Sequence, residues 1–365
     1  MVRGIMSKEL LADKIVTLCR VMSVSGFEYR ATEEIKNIYG HCFDGITADS
    51  VGNHVLLKRC GRENAPRILV DAHLDEVGML VSEVIEGGFL RIVNIGGIDP
   101  AIMQAADVSV YGREILRGVV ISVPPHLRAD KDGRLPPVDG LMIDVGEGYS
   151  KEELGELVPI GTPVGFSPNY SRVGDKYIAG KSFDDKACAA VAAAAVADTD
   201  SEELAGDVYL CLSAREETSR EGGVSPACFN IEPDYAMVLD VNLGNAPDAP
   251  ERETVEIGKG VSVSYSAATH RGLTEAFWKL CEERNIPHTP CAAPSSTGTN
   301  ATAVNLSGLG IPVVDVGLPL RNMHTYNEVI SLEDCESLYN AVREFVCSRD
   351  IALRFGKEDL LCKLK

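Results

Sequence analysis

The chain is expected to fold as an α/β protein whose sheet contains parallel strands, with a small β-rich module inserted into it. Outside residues 81–172, apolar runs of strand length alternate with amphipathic or alanine-rich helical segments, the pattern of a layered α/β domain. Within 81–172 the texture changes to short β-like runs broken by glycine and proline, and only 151–157 reads as a helix. A length of 365 residues leaves room for one large domain and an insert.

Residues 8–22 and 30–39 carry apolar residues at helical spacing, with a turn at Ser25-Gly26 between them. Arg67 to Asp71 (RILVD) is a buried strand ending in a carboxylate. The insert supplies GFLRIVNI, DVSVYG and LRGVVISV as strands, with VPPHL and LPPVDG as loops. From Lys176 onward the alternation resumes. Asp185 to Asp198 is an alanine-rich helix, Val208 to Ser213 and Ala236 to Asp240 are strands, and Leu273 to Arg284 is a helix. Ile311 to Val316 is a further strand, and Leu332 to Ser348 closes as a helix. Residues 1–80 and 173–365 thus form the α/β domain, and 81–172 the insert.

Hydrophobic residues make up 45% and charged residues 24%, the balance of a globular protein with a sizeable core. A net charge of −19 argues against nucleic acid as a partner, because phosphates demand a basic face. The eleven cysteines are scattered without a C-x-x-C pair, so neither a thiolate zinc site nor a disulfide framework is expected, and a reducing, cytoplasmic setting fits. The N-terminal segment lacks the unbroken apolar stretch of a signal peptide. The small-apolar run Ala187 to Ala197 is too short to span a bilayer, so no membrane association is expected.

Chemistry-bearing residues fall at strand ends. RILVDAHLDE places His73 and Asp75 just after a strand, and SFDDKACAAV places Asp184 and Asp185 before a helix. VYLCLSAREE ends at Glu216-Glu217, YAMVLDV carries Asp240, and VVDVGLPLRNMH leads to His324. In an open α/β sheet such ends gather along one edge, where ligands bind. Histidines and carboxylates converging there suit divalent zinc, cobalt or manganese, and a shared carboxylate can hold two ions. Of Glu216 and Glu217, one can ligate while the other accepts a proton from the attacking water. Each piece alone has a plainer reading: a structural histidine, a solvated glutamate pair, or Asp185 as a helix cap. Their shared register with the strands favours the site.

The ordered set H-x-D-E, D-D before an alanine-rich helix, E-E, a strand ending in D-V and a late histidine resembles the M42 aminopeptidase family, some of whose members have carried the labels glutamyl aminopeptidase or endoglucanase. The resemblance spans nearly the whole chain. Ser25-Gly26-Phe27-Glu28 is similar to the family's P-S-G-x-E, with Val24 where proline is usual. Asp49-Ser50-Val51-Gly52-Asn53 matches D-x-x-G-N, and Val123-Pro124-Pro125-His126-Leu127 resembles a P-P-H-L loop.

The resemblance implies a dinuclear-metal exopeptidase fold, a mixed central sheet flanked by helices, with residues 81–172 as a PDZ-like dimerisation domain. Asp184 would bridge two divalent ions, zinc or cobalt before manganese. His73 and Asp240 would complete one ion, and Glu217 and His324 the other. Glu216 would be the general base, and Asp75 would accept from the far nitrogen of His73. Peptides would be the substrates, and copies would assemble as dimers up to dodecamers. The chain departs from the family at Glu221, at Asn300 in G-T-N-A where G-T-D-A is usual, and at Tyr326. These departures keep open a catalytically altered member of the family. A glycoside hydrolase working with two carboxylates is the other alternative, although the single tryptophan offers little for sugar stacking.

Overall fold

A computed structural model describes residues 6–121, 137–219, 222–247, 249–250 and 252–356. The P-P-H-L loop and Glu221 lie outside these residues. In chain order the helices Lys8–Cys19 and Thr32–Tyr39 come first, followed by strands β1 (Gly45–Ala48), β2 (His54–Lys58) and β3 (Arg67–His73). The insert follows as β4 (Gly78–Ile85), β5 (Phe89–Ile95), β6 (Asp107–Tyr111), β7 (Ile115–Val120), β8 (Met142–Asp144) and β9 (Pro163–Phe166). The chain then returns through β10 (Ser171–Val173), β11 (Tyr177–Gly180), β12 (Asp207–Ser213) and β13 (Tyr235–Leu243). The last strands are β14 (Val261–Ser266), β15 (His288–Ala293), β16 (Val313–Arg321) and β17 (Glu328–Ser331).

The main sheet has eleven strands in the order β1-β2-β12-β3-β13-β16-β17-β11-β10, with β14 and β15 branching beside β16. It is mixed. At its centre β12, β3, β13 and β16 run parallel, whereas β2 and β17 join antiparallel. Six of the seven residues of β3 are buried, as expected for a strand covered on both faces. Parallel alignment brings four carboxyl ends together: Ser213 pairs with His73, and Asp71 faces Val238, two residues before Asp240.

The helix Phe183–Ala197 is buried from Phe183 through Val196, because it is sandwiched between the sheet and the helices Lys8–Cys19 and Leu332–Cys347. A helix apolar on every side belongs in such a middle layer, and alanine lets its neighbours approach closely. Asp184 and Asp185 have non-helical dihedrals, so regular helix begins after them. The helix expected at 8–22 ends at Cys19, with Ser7 capping its start. The Ala236–Asp240 and Ile311–Val316 strands are longer than apolarity alone suggested, because β13 and β16 continue to pair through Leu243 and Leu320.

The insert's strands close into a barrel, β4-β5-β8-β7-β6-β9. Leu90 and Ile92 point into its core with Met79, Val108, Val110, Ile143 and Val164, while Arg91 is exposed. The helix read at 151–157 is present as Lys151–Leu157, started by a Ser150/Glu153 capping box. Among the described residues every cysteine is a free thiol, and no helix is long and apolar enough to cross a membrane.

Candidate metal centre

The strand ends deliver the side chains to one place. His73 is the last residue of β3. Its Nδ1 lies 3.0 Å from the Asp75 backbone oxygen; a carbonyl can only accept, so Nδ1 carries the hydrogen and Nε2 is left free to ligate. That Nε2 is 3.1 Å from Asp184 Oδ1 and 3.8 Å from Asp240 Oδ1. His324, held at φ 60, donates from Nδ1 to the Gly97 oxygen at 2.9 Å. Its Nε2 is 3.3 Å from Asp184 Oδ2 and 3.2 Å from Glu217 Oε1.

Two donor sets result, His73–Asp184–Asp240 and Asp184–Glu217–His324, each with its ligand atoms within 4.8 Å of one another. Asp184 belongs to both, offering one carboxylate oxygen to each side. Glu216 belongs to neither set and lines the same cleft. All five sequence-predicted ligands and the predicted base are therefore brought together.

The electrostatics test whether cations fit. Burial pushes the Glu216 carboxyl up to about 7; His73 opposes this, and the Glu217, Asp75 and Asp184 carboxylates add to it. Burial and Asp184 likewise raise Glu217, and burial holds Asp240 well above the usual carboxylate range. Burial works against the His324 imidazolium, yet Asp184 and Glu217 hold it up, to about 11. The carboxylates thus draw positive charge onto the space between them and the two imidazoles, whose Nε2 atoms stand 3.1–3.8 Å from carboxylate oxygens. Two divalent cations suit this arrangement: oxygen and imidazole ligands match zinc, cobalt or manganese, and each imidazole already has its second nitrogen fixed.

A supporting layer explains motifs that the sequence showed without a role. Asp75 accepts the backbone N–H groups of Glu216 and Glu217, each at 3.1 Å, and its carboxylate stands 3.5 Å from His73 Nδ1. It therefore aligns the glutamate pair, while its backbone oxygen is the nearer partner of His73. Glu28 Oε1 accepts from the backbone nitrogens of Gly26 and of Arg215, the left-handed residue just before Glu216. Ser25 Oγ meets Thr218 Oγ1 at 2.9 Å. Asn53 bridges both ends of the Glu216-Glu217 loop, accepting from Ala214 N–H at 2.8 Å and donating to Gly223 O at 2.7 Å. Asn53→Ala leaves those two buried backbone groups unpaired, and urea unfolding is expected to show a loss of about 2–4 kcal/mol.

Glu328 is a positioning residue that sequence reasoning did not single out. Its two carboxylate oxygens accept the backbone N–H groups of Asp184 (3.1 Å) and His324 (2.9 Å), tying the residue common to both donor sets to the late histidine. Its signal was its place four residues after His324 and two after Tyr326. Asp185 accepts the backbone N–H of His73 at 3.2 Å, which fastens the Asp184 segment to β3. Glu76, between the buried Lys181 and Lys186, takes the hydroxyl of Ser182 two residues before Asp184.

Two of the departures also have work. Asn300 donates to Asp71 Oδ2 and Ser213 Oγ, both at 2.9 Å, joining β3 to β12. Tyr326 packs on Phe166 of the barrel with ring centroids 5.8 Å apart. Above the donors lies a cleft of about 430 Å³, walled by Asn242, Leu243, Glu253, Thr299 and Met323. It sits beside a second cleft of about 620 Å³ on the Thr218 and Asn300 side.

The sequence profile described as M42 glutamyl aminopeptidase matches residues 52–340, most of the chain. This chain belongs to the M42 family. It is 29% identical over 320 residues to the lysyl aminopeptidase of Pyrococcus furiosus, covering 86% of this chain and 90% of the relative. An aminopeptidase from the archaeon Desulfurococcus kamchatkensis superposes with a TM-score of 0.87 at 25% identity, covering 97% and 99% of the two chains. The TET1 peptidase of Pyrococcus horikoshii, which can assemble into a tetrahedron or a large octahedral shell, superposes with a TM-score of 0.80 at 27% identity, covering 92% and 99%. As an M42 member the protein is a peptide hydrolase.

Proposed function

We propose that this M42 protein is a dinuclear metal-dependent aminopeptidase that removes single residues from the N-terminus of peptides. The observation that carries the proposal is the pair of donor sets sharing Asp184, with Glu216 beside them and outside both. With Asp184, His73 and Asp240 would hold one ion, and Glu217 and His324 the other. When bound, the two cations supply Lewis acidity to the scissile carbonyl and make an attacking water more acidic. Glu216 takes the proton of that water and returns it to the leaving amine. Asp75 keeps Glu216 and Glu217 aimed through their backbone N–H groups. The barrel serves as the PDZ-like dimerisation module of a homo-oligomer, in keeping with the assemblies of the Pyrococcus horikoshii relative. The glycoside hydrolase alternative leaves His73 and His324 without work, and nothing in the cleft favours it.

The test is a panel of aminoacyl-p-nitroanilides and short peptides, free or acetylated at the N-terminus. Turnover of the free amines and none of the acetylated forms is expected. Equal turnover of both would overturn the exopeptidase assignment, and silence on the whole panel with metal bound would turn the reading to a catalytically altered family member.

Charge also selects among substrates. The two cations balance the carboxylates of Asp184, Glu216, Glu217 and Asp240, which leaves Glu253 in the cleft wall uncompensated, beside the apolar Leu243 and Met323. A basic N-terminal side chain can lay its stem on the apolar pair and its charge near Glu253, whereas an acidic one is repelled. Glutamyl substrates are therefore expected to be slower than lysyl ones. Glu253→Gln should lower kcat/KM for lysyl substrates by roughly 2–5-fold, the range of an exposed ion pair, and leave alanyl substrates unchanged.

A further inference from the structure

Between the two metal positions there is an asymmetry in what holds the histidines. His73 is oriented by the chain that leaves its own strand β3, through the backbone oxygen of Asp75 two residues on. His324 is oriented from the inserted barrel: the acceptor of its Nδ1–H is the carbonyl of Gly97, in the loop that leaves β5. We propose that Gly96-Gly97 is a positioning element of the second metal position, so that the inserted barrel is a working part of the active site as well as an appendage to it. The inference rests on the dinuclear reading above.

The local geometry explains why glycines stand here. Gly96 has φ +74, a conformation that side-chain-bearing residues rarely adopt. A Cβ on it would come within 2.8 Å of Val77 Cγ1 and 3.4 Å of the backbone oxygen of Glu217, the other outer ligand of the second ion. A Cβ on Gly97 would lie 3.4 Å from His324 Nδ1 and 3.8 Å from Cε1, against the ring edge itself. The diglycine is therefore fitted by bare backbone against both Glu217 and His324. The loop is fixed in turn, because Asn94 Nδ2 donates to the Gly96 oxygen at 2.8 Å. The Phe166–Tyr326 ring contact is a second tie between the barrel and the His324 segment.

A carbonyl that accepts from the far nitrogen of a ligating histidine fixes its tautomer and aim, and losing such a partner typically weakens metal affinity 10–100-fold. Because Gly97 touches His324 and not His73, the loss should fall on one ion of the two. Gly97→Ala adds a methyl group against the ring with no unusual backbone demand. Asn94→Ala changes an exposed residue and only loosens the loop.

The experiment is zinc binding to the metal-free full-length chain, by competition with a chromophoric chelator, with circular dichroism as a check on folding. Wild type should take two equivalents per chain. Gly97→Ala, which keeps the carbonyl and sets a methyl group in contact with the ring, should keep one tight equivalent and lose affinity for the second by up to roughly 10-fold, short of the full loss of a ring partner, with Asn94→Ala shifted in the same direction by less. Should Gly97→Ala fail to fold, Asn94→Ala alone decides. Two equivalents at wild-type affinity in the folded variants, or equal weakening of both, would overturn the proposal. A wild type that takes fewer than two equivalents would instead sink the dinuclear reading on which the proposal stands.

Discussion

Asp184→Asn is expected to empty both halves of the centre and lower hydrolysis by at least roughly 10³-fold, the scale of several kcal/mol of metal-ion catalysis. Asp184 is the one residue common to the two donor sets. It faces His73 Nε2 through one oxygen and His324 Nε2 through the other. A carboxamide of the same size presents an oxygen to one side and an N–H donor to the other, so it cannot bridge cations. Its backbone N–H still reaches Glu328, which keeps the segment in place. Metal-linked stability should vanish as well. Zinc at a hundredfold excess over Kd stabilises a binding chain by about 2.7 kcal/mol, so Tm should rise with zinc in the wild type and stay flat in the variant. A variant that still takes two equivalents would show that Asp184 does not bridge.

Glu216→Gln should separate chemistry from binding. The side chain is absent from both donor sets, so metal content should match the wild type. The amide cannot take a proton from water, and turnover should fall by about 10²–10⁴-fold, the usual contribution of a positioned general base. The effect belongs in kcat, with KM little changed. Loss of metal in this variant would make Glu216 a ligand, and full activity would remove it from the mechanism. Asp75→Asn is the gentler companion, because it weakens the acceptor of the Glu216 and Glu217 N–H groups and leaves both glutamates in place.

The proposed ligands stand out in the sequence for a physical reason. A parallel strand buried on both faces is written almost wholly in apolar residues, so a histidine or carboxylate at its end stands out, as in RILVDAH and YAMVLDV. The alanine-rich middle helix was legible because a helix packed on all sides admits few other residues. What surrounds the ligands was much less so. Glu28, Asn53 and Glu328 act on backbone groups far away in the chain, Asn53 on Gly223 for instance, and no local periodicity reports such a pairing. Gly96-Gly97 reads as an ordinary break after a β-run, and its approach to Glu217 and His324 exists only once the barrel is docked. Alternation predicted strands in the insert but not their closure, because closure depends on how β4 and β9 pair across the intervening chain. Asn300 and Tyr326 looked like losses when set against the family pattern. Their contacts with Asp71, Ser213 and Phe166 give them structural roles that the pattern could not reveal.

The most direct test of the central claim is to strip the protein of metal and follow lysyl-p-nitroanilide hydrolysis while zinc, cobalt or manganese is returned in measured equivalents. A chain that is silent without metal and fully restored only as the second equivalent per chain is bound is the predicted result. Full turnover after chelation, or full recovery at a single equivalent, would contradict the shared centre built on Asp184.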